Sequence, residues 1–247
     1  MVSVITAAYN CAAFIEQTIS SVQAQTYPDW EMIIIDDKST DDTVLIIKTL
    51  AATDSRIKLL RNTENMGPAK TRNRGIEIAR GRYLTFLDGD DIWLPDFLAI
   101  SVSYMKKHHH AFVFSSYRRL DENLQPLYKD FIVPKKVSYN GLLKTCPISC
   151  LTAMMDVEKI GKHYMPDIPK RQDYGLWLSI LKITGHAYGI KQPLAIYRIR
   201  KNSVSRNKYE AMLYVWKVYR EVEKLNMLYS AYLIVNYSVN GLIKYSR

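Results

Sequence analysis

Asp88, Asp90 and Asp91 close the run "YLTFLDGDDIW", which begins as apolar as a buried strand and ends in like charges. If the run continues as a strand, Asp88 and Asp90 share a face, and Gly89 leaves the opposite side bare. Two carboxylates a few ångströms apart repel each other. The pair calls either for a cation or for one carboxyl that keeps its proton. Hard oxygen ligands with no Cys or His pair nearby suit Mg²⁺ or Mn²⁺ better than zinc, and such an ion completes its shell from substrate phosphates. A D-x-D pair alone is also what a solvated turn looks like, and Asp91 is of a type that caps helices. A further carboxylate, Asp173 in "RQDYGLWLSILKIT", stands at the head of an amphipathic segment, where a helix N-terminus would favour its charged form.

The first ninety residues must position these groups, and they alternate strand and helix. "VSVITAAY" and "WEMIIIDD" are apolar runs, the second continuous enough for a strand covered on both faces. Between and after them come segments with helical spacing. Phe14, Ile15, Thr18, Ile19 and Val22 carry the first; "STDDTVLIIKTLAA" opens with Ser39 and Asp42 at capping-box spacing; "GPAKTRNRGIEIAR" has Pro68 near its start and Gly81 past its end. "RIKLLRN" and "RYLTFLD" complete four strands. This alternation predicts an α/β fold around a mostly parallel sheet with right-handed crossovers.

Beyond Asp91 the pattern loosens. "LPDFLAISVSYMKK" reads as a helix, "AFVFSSYRRLD" and "LYKDFIV" as a hairpin around "ENLQP", "SCLTAMMD" as a strand, and "HAYGIKQPLAIYRIR" as a strand pair or one bent strand. From about Lys208 the chain is helical. The organisation expected is residues 1–91 as the first half of one domain, 92–205 as the second half of the same domain, and 206–247 as a helical tail.

Ligands of an open parallel sheet bind beyond the carboxyl ends of its strands. Tyr9 and Asn10 follow the first strand, Asp36 and Asp37 the second, Asp88 and Asp90 the fourth. The dinucleotide fingerprint G-x-G-x-x-G is missing after the first strand, because "AAYNCAAF" has no glycine, and no Walker loop occurs. Phosphates would have to be neutralised in another way, and a metal on Asp88 and Asp90 would do so.

An apolar share of 48% with 23% charged residues excludes a disordered chain. The net charge of +10 is uneven, since Tyr197 to Arg247 carries ten Lys or Arg against three Glu. Such a tail either meets an anionic partner or is a solvated helical face. Within it, "LNMLYSAYLIVNYSVNGLI" has nineteen uncharged residues between Lys224 and Lys244, but its Asn, Ser and Tyr content argues against crossing a bilayer. It should lie on a membrane surface or cover an apolar patch of the domain. The basic residues do not surround a stacking platform, which excludes nucleic acid as the partner. Cys11, Cys146 and Cys150 form no disulfide framework and fit a reducing compartment. "KKHHH" (106–110) reads as the polar end of a helix. "MVSVITAAYN" lacks the basic and long apolar regions of a signal peptide.

The blocks "VSVITAAYN", "IIIDDKSTDDT", "NMGPAKTRNRGIEIARGRYLTFLDGDD" and "RQDYGLWLSI", in that order, resemble family 2 glycosyltransferases of the GT-A fold. The resemblance runs from residue 1 to about residue 205. "KRQDYGLWL" and "YRIRKNSVS" are most similar to bacterial transferases of teichuronic acid, capsule and O-antigen assembly. The resemblance implies a Rossmann-like mixed sheet flanked by helices and an inverting, metal-dependent transfer. The donor would be a nucleotide-sugar, of UDP type, and the acceptor a saccharide or lipid-linked saccharide.

Residue by residue, the resemblance places Ala7, Tyr9 and Asp37 at the nucleotide base, with Tyr9 stacking and Asp37 accepting from uracil. Arg72 would line the donor site, Asp88 and Asp90 would hold Mn²⁺ or Mg²⁺, Asp173 would be the catalytic base, and Trp177 would shape the acceptor side. Arg200 stands where family members often carry a His, and it or Arg198 would neutralise the leaving diphosphate in place of a metal ligand. A lipid-linked acceptor implies a cytoplasmic protein, peripheral on the inner face of the cell membrane through its basic tail. Two rivals remain at this point. A sugar nucleotidyltransferase would share fold and metal but needs a Gly/Arg-rich loop after the first strand, and a non-catalytic nucleotide-sugar-binding protein would have no use for Asp173.

Overall fold

Trp30 to Asp36 is buried at every position, and consecutive side chains go to opposite sides of a sheet: Trp30, Met32 and Ile34 to one core, Ile33 and Ile35 to the other. That is how a strand covered on both faces must behave. The computed structural model describes residues 1–200 and 208–246.

The elements in chain order are β1 (Val2–Ala8), α1 (Ile15–Gln23), β2 (Trp30–Asp36), α2 (Thr43–Thr53), β3 (Ile57–Arg61), α3 (Gly67–Ile78) and β4 (Tyr83–Phe86). Then follow β5 (Ile92–Trp93), α4 (Phe97–His108), β6 (Phe112–Leu120), β7 (Pro126–Phe131), β8 (Lys136–Ser138) and α5 (Tyr139–Lys144). The remainder is β9 (Met154–Asp156), α6 (Val157–Ile160), α7 (Gln172–Thr184), β10 (His186–Arg198), α8 (Lys208–Lys217) and α9 (Met227–Ser246).

One ten-stranded sheet runs in the order β3-β2-β1-β4-β9-β6-β10-β5, with β7 beside β6 and β8 beside β10. β1, β2, β3 and β4 are parallel, as the alternating pattern predicts, whereas β9 is antiparallel to both β4 and β6. The chain leaves β1 outward to β2 and β3 and returns to β4 on the other side. The switch point therefore lies between the carboxyl ends of β1 and β4, where a crevice must open. Side chains of α1, α2 and α4 fill the core on one face of the sheet, and those of α3, α5, α7, α8 and α9 fill the core on the other. Gly75 lets α3 sit close, since a Cβ there would lie 2.6 Å from Ile5 Cγ2.

Three local expectations change. Ser39 and Asp42 form no capping box: Ser39 Oγ accepts from the Asn10 amide, and Asp41 instead holds the start of α2 by accepting from the Thr43 amide. "SCLTAMMD" is a 3₁₀ turn at Cys150–Thr152 followed by the short strand β9. "HAYGIKQPLAIYRIR" is one long strand, β10, whose register with β6 slips around Pro193, a residue with no N–H to give the ladder.

The tail packs on the domain. Val215, Val218, Tyr219 and Leu233 are fully buried with α5 and α7, the Lys182–Glu223 pair closes at 2.7 Å, and Asn240 donates to the Lys144 carbonyl. No helix among the described residues is long and apolar enough to cross a membrane.

Candidate active site

At the end of β1, Ala7 is half-buried and Tyr9 is 52% exposed, a ring standing free at the switch point. The next turn is fixed by Asn10, which takes a positive φ of 46° and accepts from the Thr40 amide. Asp37, after β2, is nearly buried, and its carboxylate accepts from Asn62 Nδ2 and from the Met66 and Gly67 amides at 2.7, 2.8 and 2.9 Å. It thus clamps the start of α3 while one oxygen, Oδ2, carries a single protein donor. Nothing in the sequence pattern pointed to Asn62, which also donates to Thr71.

The D-x-D pair does not sit on a strand. β4 stops at Phe86, and Asp88 to Asp91 form a turn closed by the Asp91 amide on the Asp88 carbonyl at 3.1 Å. Gly89 leaves room for Cys11 behind the turn, since a Cβ there would meet its Sγ at 2.8 Å. The two carboxylates meet different arginines. Arg72 of α3 reaches Asp88 at 2.5 Å, and Arg200, just past β10, reaches Asp90 Oδ2 at 2.9 Å. Burial, reinforced by the Asp88 charge, pushes the Asp90 carboxyl above its usual pKa. Burial works against the Arg72 charge too, but Asp88, Cys150 and Asp173 outweigh it and raise its pKa. Arg72 is almost wholly buried, and its Nε–H has no partner in the protein. A buried donor left over beside a carboxylate pair is a place for an anionic ligand oxygen.

Asp91 is not a helix cap. It is buried, Oδ1 accepts from the Arg198 amide, and burial together with Asp90 and Asp88 raises its pKa well above the ordinary range. Arg198 and Arg200 are not interchangeable either. The Arg198 guanidinium is buried among Gln17, Glu122 and the Asp90 carbonyl, so Arg200 is the one that faces the carboxylate pair.

Asp173 lies half-buried in the first turn of α7, close enough for its charge to act on Arg72 and on Cys150. The start of α7 is seated against α3. Asn73 exchanges two hydrogen bonds with the Met165 backbone, and a Cβ on Gly175 would lie 2.6 Å from Pro166 Cγ. Trp177 differs from expectation. It is fully buried, with ring centroids 6.0 Å from Phe86 and 5.2 Å from Phe112, so it packs α7 onto β4 and β6 and has no exposed surface to offer an acceptor. A bulky aromatic at helical spacing from Asp173 falls on the inner face of α7 because that face carries Tyr174, Leu178 and Leu181 as well.

With this geometry, comparison with known proteins is decisive. Residues 3–158 match the family model described as glycosyl transferase family 2. The chain belongs to that family. It is 42% identical over 244 residues to the putative teichuronic acid biosynthesis glycosyltransferase TuaG of Bacillus subtilis, covering 99% of this chain and 97% of that protein. It is 38% identical over 247 residues to the Escherichia coli UDP-Glc:alpha-D-GlcNAc-diphosphoundecaprenol beta-1,3-glucosyltransferase WfgD, covering 100% and 95% of the two chains.

Among solved structures, S. aureus TarS 1-349 in complex with UDP-GlcNAc superimposes with a TM-score of 0.73 at 19% identity, over 94% of this chain and 70% of that one. The mannosyltransferase PcManGT from Pyrobaculum calidifontis, in complex with GDP-Man and Mn2+, gives 0.69 at 20% identity, over 91% and 64%. This family 2 glycosyltransferase therefore has the GT-A fold, and the antiparallel β9 inside its sheet is the mixed character the resemblance implied.

The donor set fits a hard divalent cation. Among the described residues no cluster of three His, Cys, Asp or Glu stands ready to hold a metal. Asp88 and Asp90 would hold the ion, with ligand phosphate oxygens and water as its other partners, a usual arrangement for Mg²⁺ and Mn²⁺.

Proposed function

We propose that this glycosyltransferase moves a sugar from a UDP-sugar to a saccharide or lipid-linked saccharide acceptor, with inversion, in cell-surface polysaccharide synthesis. The observation that carries the proposal is the convergence of an exposed Tyr9, the Asp88–Arg72 and Asp90–Arg200 pairs and Asp173 at the carboxyl ends of β1 and β4. The cell-surface role and the UDP donor rest on the similarity to TuaG and WfgD.

Tyr9 stacks on the uracil, and Asp37 Oδ2 accepts from its N–H. The diphosphate lies between the arginines, and Arg72 turns its spare Nε–H to a phosphate oxygen. Asp88 and Asp90 would hold Mg²⁺ or Mn²⁺, which when bound would supply Lewis-acid stabilisation to the leaving diphosphate. Asp173 takes the proton of an acceptor hydroxyl as that oxygen bonds to the anomeric carbon. The bond from that carbon to the phosphate oxygen breaks on the opposite face, so the configuration inverts and the nucleoside diphosphate leaves.

The test is calorimetry of UDP binding. Affinity should fall sharply when the divalent ion is chelated, and adenosine diphosphate should bind more weakly than UDP. Equal UDP affinity with and without chelator removes the metal from the site. Production of UDP, with no pyrophosphate, on adding a glycosyl acceptor separates this reaction from nucleotidyl transfer.

The tail supports a place of action at a membrane surface. Leu228, Tyr232, Val235 and Val239, spaced as one helical face, are exposed on α9, Leu228 at 85%, while Ser230 and Leu233 on the other face are buried. An apolar outer face on a nearly uncharged helix, within a tail that carries ten Lys or Arg against three Glu from Tyr197 to Arg247, fits an anionic lipid surface, which is where a lipid-linked acceptor is met on the inner face of the cell membrane. Each basic residue near such a surface contributes on the order of 1 kcal/mol. Flotation with anionic liposomes should be salt-sensitive and weaken for the Leu228→Ser, Val235→Ser double variant. Full-length protein that stays with the unbound fraction at low salt would refute the membrane contact.

A further inference from the structure

We infer that Arg198 is the positioning residue of the carboxylate turn: it fixes the direction of Asp90 and delivers Arg200 to it, without serving the donor. The inference rests on the reading of Asp88 and Asp90 as the metal carboxylates. Arg198 is 3% exposed, and its groups go to four separate places. Its amide donates to Asp91 Oδ1 at 2.8 Å, Nε to the Asp90 carbonyl at 2.8 Å, Nη1 to the Glu122 carbonyl at 2.9 Å and Nη2 to Gln17 Oε1 at 2.6 Å. One side chain thereby joins the end of β10, the carboxylate turn, the hairpin turn between β6 and β7, and α1. The ring of Phe14 covers the guanidinium at 4.8 Å.

Besides Arg72 on Asp88 and Arg200 on Asp90, the turn has two further holds among the described residues. Thr18 Oγ1 donates to the Asp91 carbonyl at 2.8 Å, and the Asp91 amide closes on Asp88. The Asp90 carbonyl and the Asp90 side chain leave neighbouring atoms of one residue, so a bond that pins the carbonyl restricts where the carboxylate points. Two residues on, Arg200 meets that carboxylate, and the Ile199 amide between them is held by the Leu120 carbonyl at 2.8 Å. The rigid strand end thus sets both members of the Asp90–Arg200 pair. Burying the guanidinium on two carbonyl oxygens and one amide oxygen is costly to the fold. Arginine is the side chain that gives N–H bonds in three fixed directions from one plane; lysine has one point of charge.

The test uses full-length Arg198→Lys, with Met105→Ala as a control. Met105 is a buried residue of α4 that lines a cavity with Arg82 and Tyr83, at the opposite end of β4 from Asp88. UDP binding titrated with Mn²⁺ should need roughly tenfold or more Mn²⁺ in Arg198→Lys, as for loss of a partner that orients a metal ligand. Met105→Ala should lower the Tm and leave the Mn²⁺ requirement unchanged. An unchanged requirement in Arg198→Lys, or an equal rise in the control, overturns the inference. Should Arg198→Lys fail to fold, Gln17→Leu removes one acceptor of the fork from an exposed position, and the requirement should rise by a smaller factor; no rise overturns the inference. If the parent's UDP binding ignores chelator, it is the metal reading that has failed. Hydrogen exchange over residues 87–92 without ligand then decides the positioning role: faster exchange in Arg198→Lys than in Met105→Ala upholds it, and equal rates sink it.

Discussion

Asp90→Asn is expected to cost metal-dependent UDP affinity and turnover together, while the fold holds or gains stability. The first loss follows from the proposed role. The amide keeps the shape of the carboxylate but offers the cation no charge, so the loss should exceed the roughly 10–100-fold that follows removal of a ligand's supporting partner. The second half follows from electrostatics. Burial and the Asp88 charge raise the pKa of Asp90 in the folded chain, so ionised Asp90 opposes folding at every pH above its unfolded pKa. Removing the charge relieves that opposition. The lost contact with Arg200 subtracts little, because the arginine side chain is partly in water. Donor titrations in Mn²⁺ and a thermal melt at neutral pH check both halves. Undiminished Mn²⁺-dependent binding, or a clear drop in Tm without loss of binding, would make Asp90 a structural residue.

The parallel half of the fold was legible because periodicity there is strong. β2 is seven residues with no exposed position, and α1 buries Ile15, Thr18, Ile19 and Val22 at helical spacing. Past Asp91 several strands are short. β5, β8 and β9 have two or three residues each, which is too few for a period to register, and their pairing is decided by partners about 40 to 100 residues away. The Cys150–Thr152 turn is of that kind: its residues read as strand, yet the Thr152 hydroxyl donates to the Ser115 carbonyl across the sheet. No local pattern encodes that bond.

The candidate site divides in the same way. The residues proposed to act at strand ends, Tyr9, Asp37, Asp88 and Asp90, were visible because an apolar run stops abruptly in polar side chains. Their partners were not. Arg72 came only from the resemblance of its block, and the separate fates of Arg198 and Arg200 could not be read from "YRIRKNSVS" at all. Two arginines at spacing two look equivalent until β10 ends at the first, leaving Arg198 inside and Arg200 at the crevice. Trp177 failed for the converse reason, since proximity to Asp173 in sequence says nothing about which face of α7 turns inward.

Asp173→Asn should fail differently from Asp90→Asn, because Asp173 is proposed to serve the nucleophile and not the leaving group. The substitution is nearly isosteric, and the start of α7 is held by Asn73 on Met165 and by Gly175 on Pro166, contacts the variant leaves intact. Arg72 loses one of the charges acting on it but keeps Asp88 at 2.5 Å, so the buried guanidinium stays compensated and the donor side keeps its form. UDP affinity in Mn²⁺ should therefore change little. Transfer to the acceptor should fall by roughly 10²–10⁴-fold, the usual contribution of a positioned general base. Because the deficit lies in proton removal, raising the pH should restore part of the rate in the variant by supplying more acceptor alkoxide, and should do so less in the parent. Donor titrations and transfer rates across pH, measured side by side, distinguish the roles. A variant that transfers at near-parental rates excludes Asp173 as the base, and one that loses UDP affinity in step with turnover assigns it to the donor site through Arg72.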